Sequence, residues 1–576
     1  MKWNLKGELR KRLAEEDGAL IPVPGARSSF ALVYPNNYHV GMSNLGMHIL
    51  YQLINERTDT DCERAFLPDA KELAEYLRTQ TPIMTLETQR PLGKFDLIGF
   101  AVSFEMDYFN ILTQLELSRI PLRAAERDEY QPLILMGGPC ITFNPEPLAA
   151  VADVCIIGEG EEVIGEVLDA YHEARLAGES RLATLRRIAE IEGVYVPIFY
   201  QERYDEAGIF LGLAAQDGLP EKIARRWIKE LDRYPAKTVI RTPHTEFRNM
   251  LLLEVARGCG RHCRYCMAGY CFRRPRNRSL DELKRTVEAE DMSERRVGLM
   301  GAAISDYPEI DELCQWLRER DIALSVASLR ADSVSETLVA ALADSGHRTI
   351  TLAPEAATQR LRAIINKTLT EDDLFSAAAM AVKAGIPHVR MYIMIGLPEE
   401  TDEDIEAIVQ LALRMKAHML ELGSKGKLTL SVNPFVPKPF TPFQWLPMAE
   451  QTVVAKRLKY LQQAFKGQRS IEVLTESPKE AYLQGILARG DRRLGEALLA
   501  AQASGGSKQL AKAMTQAGLT KEDYLYRTRA AKEVLPWDHL LPGVTKNYLQ
   551  TEWQRSLAEQ ETAPCHTGCK RCGVCK

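Results

Sequence analysis

Residues 256–269 read ARGCGRHCRYCMAG and place Cys259, Cys263 and Cys266 in one short loop with the spacing Cys-x3-Cys-x2-Cys. Three thiolates from such a loop ligate three irons of a 4Fe-4S cluster and leave the fourth iron open to a substrate or cofactor. The spacing therefore predicts an iron-sulfur site with one exchangeable position. These three cysteines are the candidate catalytic and metal-ligating residues.

The same cysteines also permit a zinc site, which requires a fourth ligand. The nearest candidates are His262 inside the loop and Cys271, five residues after Cys266. Seven of the twelve cysteines fall in two tight groups, as metal ligands do in a reducing compartment. Spacing favours the cluster over zinc, and disulfides are the least expected use.

The first part of the chain, residues 1–198, alternates short apolar runs with amphipathic stretches. SSFALVYP, FDLIGFAVSF, PLILMGG and VADVCIIGEG have the character of strands, whereas LGMHILYQLINER and FNILTQLELSRI have that of helices. This alternation predicts an α/β fold with a doubly wound parallel sheet, whose ligands sit beyond the carboxyl ends of the strands. Residues 199–248 are interpreted as a connector.

A second alternating pattern occupies residues 249–448. About six strand-like runs, from NMLLLEVARG to KLTLSVNPF, are separated by helical stretches such as SVSETLVAALADSG. The cysteine motif follows the first of these runs. Residues 449–576 are mainly helical and end in a group of cysteines.

In the cysteine motif and the alternating pattern of residues 249–448, the chain resembles the radical S-adenosylmethionine (SAM) superfamily. Tyr265 is the aromatic residue directly before the third cysteine. The resemblance implies that residues 249–448 form a partial TIM-type barrel, with its active site at the carboxyl ends of the strands. It implies that the open iron chelates SAM and that one electron cleaves the sulfonium to a 5′-deoxyadenosyl radical. A reductant protein of flavodoxin or ferredoxin type is the implied partner.

The resemblance also implies which strand ends contact SAM. The candidate cofactor-binding residues there are Gly301, Ala302, Ser328, Arg330, Asp332, Glu355 and Gly396. Ala302 stands where the superfamily usually has an acidic residue for the SAM amino group, so backbone carbonyls are expected in that role. Arg330 resembles the group that faces the methionine carboxylate, a strong charge-assisted contact.

The first 198 residues resemble a cobalamin-binding Rossmann domain. The residues that carry this resemblance follow successive strands and are the candidate groove residues Asn37, His39, Ser103, Gly137 and Gly138. The family's cobalt-ligating signature, Asp-x-His-x-x-Gly, is one residue longer than the segment 37–41 and begins with an aspartate that this chain lacks, so His39 is more readily a loop residue. The glycines are expected to admit the nucleotide tail, so that enlarging Gly138 weakens cobalamin binding without unfolding the protein.

The chain ends APCHTGCKRCGVCK, with Cys565, Cys569, Cys572 and Cys575 inside eleven residues. Zinc ribbons separate two cysteine pairs by a dozen or more residues, whereas a compact run suits one cubane cluster. We interpret these residues as ligands of a second iron-sulfur cluster. Zinc and an unstructured end are the alternatives.

Over nearly its whole length the chain resembles radical SAM proteins with an amino-terminal cobalamin-binding-like domain. The leading hypothesis is cobalamin-dependent methylation of an unactivated carbon. The alternatives are sulfur insertion or methylthiolation with the terminal cluster as donor, and a non-enzymatic iron-sulfur sensor or scaffold. The substrate stays open, because specificity lies in loops without a readable code.

Composition limits the partners and the location. A net charge of −5 argues against a protein that coats nucleic acid, although residues 451–576 hold 20 Lys and Arg against 12 Asp and Glu. That basic part is either a contact for an anionic macromolecule or a solvated helical surface. Since neither a signal peptide nor an apolar run of about 20 residues is evident, a cytoplasmic location without membrane contact is expected.

Overall fold

The computed structural model describes residues 4–22, 25–206, 208–290 and 295–575. The outermost residues of the first and last predicted regions, 1–3 and 576, lie outside the described residues. No helix in the described ranges combines the length and the apolar character that a membrane crossing requires.

The strands of the described ranges are numbered in chain order. They are β1 (Ser28–Tyr34), β2 (Thr60–Phe66), β3 (Leu97–Ala101), β4 (Leu133–Gly137), β5 (Val154–Ile156), β6 (Val194–Tyr195), β7 (Tyr200–Tyr204), β8 (Phe210–Ala215), β9 (Ile223–Ala224), β10 (Leu251–Glu254), β11 (Ala256–Arg257), β12 (Arg276–Asn277), β13 (Arg296–Met300), β14 (Ala323–Ser325), β15 (Thr349–Glu355), β16 (His388–Ile395), β17 (Leu428–Pro434), β18 (Ile471–Thr475) and β19 (Leu540–Leu541).

The α-helices of the same ranges follow in the same order. They are α1 (Leu5–Ala14), α2 (Tyr38–Met42), α3 (Leu45–Asn55), α4 (Ala70–Thr79), α5 (Tyr108–Leu117), α6 (Pro139–Phe143), α7 (Gly160–Ala177), α8 (Arg181–Ile188), α9 (Ala268–Cys271), α10 (Leu280–Glu288), α11 (Ile310–Glu319), α12 (Glu336–Asp344), α13 (Gln359–Ile364), α14 (Glu371–Lys383), α15 (Asp402–Glu421), α16 (Gln451–Ala464), α17 (Pro478–Arg489), α18 (Arg492–Ala503), α19 (Leu510–Gln516), α20 (Lys521–Leu525) and α21 (Lys546–Leu557).

The first of two compact units contains residues 1–249, 487–520 and 532–542. Its main sheet has the order β2-β1-β3-β4-β5-β6 and is parallel except for β6, which runs antiparallel to β5. Every residue of β1 is buried, as expected for a strand with helices on both faces of the sheet. The predicted doubly wound parallel sheet is confirmed.

The second unit contains residues 250–486, 521–531 and 543–576. It has two parallel sheets, β10-β13-β14 and β15-β16-β17-β18, and a bridge between Leu329 and Leu352 connects them. Helices follow most strands, so the unit is the predicted partial barrel. Its last strand, β18, lies beyond residue 448, because the short run SIEVLT extends the barrel rather than the helical region.

The helical region 449–576 divides between the two units. Buried Leu494 and Leu498 of α18 belong to the first unit, where Asn144 donates hydrogen bonds to the carbonyls of Ala488 and Gly490 at 3.1 and 2.8 Å. An amphipathic pattern shows that a helix has a buried face but carries no information about which core covers that face.

Gly138 directly follows β4, and the sequence predicts that it lines the cobalamin groove. The structure shows that this glycine is also required by the backbone conformation. Its φ of +99° is a conformation that L side chains rarely adopt, and an added Cβ atom would lie 2.7 Å from the carbonyl oxygen of Val102. The expectation that a large side chain at Gly138 spares folding is therefore wrong. Neighbouring Gly137 has space, since its added Cβ would meet only the Ile156 Cβ at 3.8 Å.

Gly138→Ala should lower the free energy of unfolding by roughly 1–3 kcal/mol, the cost of a strained backbone conformation. Gly137→Ala is the matched control and should change the same quantity by less than about 1 kcal/mol. Urea denaturation followed by circular dichroism measures both. Equal stability of the two variants would contradict the assignment.

Candidate functional site

The predicted cluster-binding cysteines lie in a loop that leaves the barrel after its first strand. Strand β11 pairs antiparallel with β12, and the segment between them, residues 258–275, is here called the cysteine loop. Gly258 opens it with a φ of +81°, and an added Cβ atom there would lie 2.0 Å from the Phe272 carbonyl oxygen. Only glycine permits this close approach of the two ends of the loop.

The three thiols of the loop influence one another. Cys263 is buried, Cys259 and Cys266 are half-buried, and the backbone N–H of Cys266 donates to the Cys263 carbonyl at 3.1 Å. Burial, followed by the charges of Cys263 and Cys259, raises the pKa of Cys266 to about 12. Burial also raises the pKa of Cys259, again with a contribution from Cys263. A bound cationic metal centre would reverse this penalty, because coordination stabilises the thiolate.

The donor set fits a cubane cluster. Three thiols that repel one another when charged, carried by one loop, match the ligand requirement of three irons. The described residues contain no group of three or more His, Cys, Asp or Glu side chains arranged to hold one metal ion. A cubane makes a different demand, because each of its thiolates binds a different iron atom.

His262, the candidate zinc ligand inside the loop, is committed elsewhere. Its buried ring lies with Nε2 at 2.9 Å from Nη1 of Arg273 and with Nδ1 at 2.5 Å from the hydroxyl of Tyr548. Burial, with the charge of Arg273 next in size, lowers the pKa of His262 to about 2, so the ring is neutral. Both nitrogens already have partners, which argues against His262 as a fourth metal ligand.

Arg330 and Asp332 lie next to the cysteines. The Nε and Nη2 atoms of Arg330 donate to the two carboxylate oxygens of Asp332 at 3.0 and 2.9 Å, and its Nη1 lies 4.0 Å from the Cys263 sulfur. Burial opposes the guanidinium charge, but Asp332 and Cys263 more than offset it, so the pKa of Arg330 is raised. Arg261 of the loop also binds Asp332, at 3.1 Å.

The other predicted SAM-binding residues that follow strands of the sheet β10-β13-β14 are exposed to solvent. Gly301 and Ala302 are exposed in the turn after β13, and Ser328 is exposed before the bridge at Leu329. The structure thus brings Arg330 and Asp332 to the cysteines and leaves these three residues on open surface near the strand ends. Backbone carbonyls of such a turn are free to accept hydrogen bonds from an ammonium group.

Tyr265 and Glu355 meet around a residue that no sequence motif reveals. The ammonium group of Lys367 lies 3.5 Å from the Tyr265 hydroxyl and 3.6 Å from a carboxylate oxygen of Glu355. A register shift at the end of β15 and a φ of +65° orient Glu355. Lys367 follows a helix without any motif, so only tertiary structure could identify it.

Gly396 directly follows β16 and has a φ of +78°. Its N–H donates to Glu400 at 2.7 Å, and Glu400 is also paired with Arg457 at 2.7 Å. Burial raises the pKa of Glu400 to about 7, although the hydrogen bond from Gly396 and the charge of Arg457 act in the opposite direction. This turn after the strand is therefore shaped by a buried polar group.

In the first unit the predicted groove residues follow neighbouring strands. Asn37 caps α2 by accepting from the Val40 N–H at 3.0 Å, and Ser103 accepts from the Asn44 amide at 3.3 Å. The strand order 2-1-3-4-5 places the topological switch between β1 and β3, where ligands of such sheets bind. Phe104, directly after Ser103, is 45% exposed and is an apolar signal that the strand-end pattern of serine and glycine does not include.

His39 lies in different surroundings. Its Nε2 is 3.5 Å from a carboxylate oxygen of Glu246, and its side chain is half exposed. It lines a cavity of about 640 Å³ together with other polar residues, among them Glu15 and His244. The structure therefore shows His39 as one member of a charged surface cavity.

The terminal cysteines belong to the same unit as the cysteine loop. Cys569 and Cys572 are buried, whereas Cys565 and Cys575 are half-buried. The backbone N–H of Cys565 donates to the carbonyl of Gly260 in the loop at 2.8 Å. The sequence separates these residues by about 300 positions and gives no sign of this contact.

Parts of this chain are similar to known protein families and to solved structures. Residues 46–197 match the model for the amino-terminal part of radical SAM proteins, and residues 253–412 match the model of the radical SAM superfamily. Among solved structures, the cobalamin-dependent S-adenosylmethionine radical enzyme OxsB has a TM-score of 0.47 at 13% identity, with 92% of this chain and 79% of that chain covered.

Several curated proteins match at the sequence level. The uncharacterized methyltransferase PH0819 of Pyrococcus horikoshii is 23% identical over 304 residues, which are 49% of this chain and 58% of that protein. The uncharacterized protein MJ0966 of Methanocaldococcus jannaschii is 31% identical over 477 residues, which are 81% of this chain and 90% of that protein. With a superfamily match that spans the cysteine loop and the strands from β11 to β16, the chain belongs to the radical SAM superfamily of enzymes.

Proposed function

We propose that the protein cleaves SAM reductively at a 4Fe-4S cluster and uses the radical for cobalamin-dependent methylation of an unactivated carbon. The carrying observation is that one loop presents Cys259, Cys263 and Cys266, with the Asp332-paired guanidinium of Arg330 4.0 Å from the Cys263 sulfur. When bound to these cysteines, the cluster supplies one electron to the sulfonium of SAM.

The residues of the barrel have separate tasks in this proposal. Cys259, Cys263 and Cys266 hold the cluster, and the Gly258 turn fixes the loop that carries them. Asp332 orients the guanidinium of Arg330, which receives the carboxylate of SAM. Lys367 contacts both Glu355 and the hydroxyl of Tyr265, the residue directly before the third cysteine of the loop.

The methylation step is supported by the first unit and by one relative. Its parallel sheet has a switch point flanked by Asn37 and Ser103, with exposed Phe104 next to it, a mixed polar and apolar surface suited to a large planar cofactor. PH0819 is described as a methyltransferase. Bound at this surface, cobalamin would supply the methyl group.

Sulfur insertion or methylthiolation is the second candidate. The observation in its favour is the contact of Cys565 with Gly260, since a terminal cluster docked on the loop is near the chemistry. Corrinoid bound to the purified protein separates the two functions. Loss of bridging sulfide from a cluster at the terminal cysteines during turnover, in protein without corrinoid, would favour this candidate.

The first test of the proposal replaces Cys259, Cys263 and Cys266 together with Ala. Formation of 5′-deoxyadenosine from SAM with dithionite should fall below detection, because no thiolate remains in the loop to hold the cluster. Anaerobic assay with product quantification by chromatography measures it. Cys314→Ala, which alters a lone buried cysteine of α11, is the control and should keep activity. Product formation by the triple variant would refute the site.

Arg330→Gln removes the charge next to Cys263 but keeps a polar side chain. If Arg330 receives the SAM carboxylate, the KM for SAM should rise by about tenfold or more. Arg318→Gln is the matched control, because Arg318 also pairs with an aspartate, Asp344, at 2.6 Å but lies on the surface. An unchanged KM for the Arg330 variant would remove the guanidinium from the SAM site.

Anaerobic incubation of the wild-type protein with hydroxocobalamin should leave about one cobalt per chain after gel filtration, as one site of this kind per doubly wound sheet predicts. Gly137→Leu should weaken cobalamin binding by about tenfold. The leucine side chain would fill the open space at the end of β4 that we assign to the cofactor. Gly137→Ala, one methyl group larger than the wild type, is the size control. If the wild type retains no cobalt, the methylation proposal fails.

A further inference from the structure

The terminal segment, residues 562–575, is here called the cysteine tail. It packs directly against the cysteine loop. The N–H of Cys565 donates to the Gly260 carbonyl at 2.8 Å. An added Cβ atom on Gly260 would lie 3.2 Å from the Cys565 Cβ, so the two backbones are in close contact. Gly260 directly follows Cys259, and one hydrogen bond therefore connects the residue after a loop ligand to a tail cysteine.

Buried polar groups hold the tail in this position. The Asn366 side chain donates to the carbonyls of His262 and Thr562, both at 3.1 Å, and accepts from the Thr562 N–H at 2.7 Å. Buried Glu552 of α21 accepts from the Thr562 hydroxyl at 2.8 Å and from Arg264 of the loop at 3.2 Å. Since leaving such groups unpaired in the interior is costly, tail and loop form one ordered structure.

The other end of the tail is also anchored. The N–H of Thr545, before α21, donates to the Cys572 carbonyl at 3.0 Å. Gly573 has a φ of +87° and packs so closely that an added Cβ would lie 2.7 Å from Thr545 Cγ2. The interpretation of the tail as an unstructured end is not compatible with these contacts.

Cationic donors point at the sulfur atoms of the tail. Arg273 Nη1 lies 3.3 Å from the Cys565 sulfur, and Arg571 Nε lies 3.3 Å from the Cys569 sulfur. The same Arg273 atom contacts His262, whose Nε2 is 3.4 Å from the Cys565 sulfur. Charged N–H donors stabilise thiolates and tune the reduction potential of iron-sulfur clusters through hydrogen bonds to sulfur.

We propose that Cys565, Cys569, Cys572 and Cys575 ligate a second, fully coordinated iron-sulfur cluster and that this cluster is the entry point for the electrons used at the cysteine loop. The electron-entry part rests on the proposed function, whereas the cluster itself does not. The compact spacing of the four thiols within eleven residues suits one cubane rather than the two separated cysteine pairs of a zinc ribbon.

The redox step is a one-electron transfer without bond changes. A reduced low-potential carrier protein of the flavodoxin or ferredoxin class loses one electron, and the tail cluster gains it. The tail cluster would be reoxidised by passing the same electron to the cluster that Cys259, Cys263 and Cys266 would hold, and the Cys565–Gly260 hydrogen bond directly connects the two segments. Full ligation by four thiolates leaves this cluster without an open iron, as suits a relay.

Metal analysis tests the second cluster independently of any activity. Anaerobically reconstituted wild-type protein should contain about eight irons per chain and no zinc, given four irons per cubane. The double variant Cys569→Ala/Cys572→Ala, here called the tail variant, should contain about four irons per chain. The variant with Ala at Cys259, Cys263 and Cys266, here called the loop variant, should also contain about four. About four irons plus one zinc in the wild type, or loss of all iron from the loop variant, would overturn the proposal.

Electron entry has its own readout. In the loop variant, the reduced carrier should produce an electron paramagnetic resonance signal of about one spin per chain, which the tail variant should lack. In assays of SAM cleavage, the ratio of the carrier-driven to the dithionite-driven rate should fall about tenfold in the tail variant. An unchanged ratio, or no signal in the loop variant, would overturn electron entry.

Failure of the proposed function has a different signature. If the wild type shows no SAM cleavage with dithionite, the SAM assignment falls, while the iron counts and the spin signal of the loop variant still decide the tail cluster. Cys314→Ala, with both cysteine groups intact, is the common control and should match the wild type in iron content.

Discussion

Three cysteine sulfur atoms have to be held in one short, half-buried loop, and many contacts of the barrel unit serve this constraint. Burial and mutual charge raise the pKa of Cys266 to about 12, so the loop gains from a bound cationic centre. Backbone geometry keeps the sulfurs together. The Gly258 turn brings the two ends of the loop together, and the Asn366 side chain donates a hydrogen bond to the His262 carbonyl within the loop.

The two units use unusual backbone conformations at their strand ends for different purposes. Gly138 in the first unit and Gly396 in the second both have positive φ values and turn the chain sharply where parallel strands stop. At Gly138 the reason is close approach to the Val102 carbonyl, whereas at Gly396 the turn presents an N–H to buried Glu400. Glycine at a strand end thus has a folding role that must be separated from any ligand role.

Much of the architecture could be predicted because periodicity reports burial. The buried runs that form β1 and β4 and the alternating pattern of the barrel strands indicate two α/β units, and local cysteine spacing indicates the chemistry of the loop. The last barrel strand, β18, could not be assigned to the barrel from its sequence, because a five-residue run does not reveal which sheet it joins.

The sequence by itself determined the candidate metal ligands, since ligand chemistry and spacing are local properties: Cys259, Cys263 and Cys266 are readable from one loop. Only the tertiary structure decided which distant residues surround them. Lys367 beside Tyr265, Arg330 beside Cys263 and Cys565 on Gly260 are contacts across about 70 to 300 positions. Such contacts depend on how the strands and the terminal helix pack, and no local pattern encodes that packing.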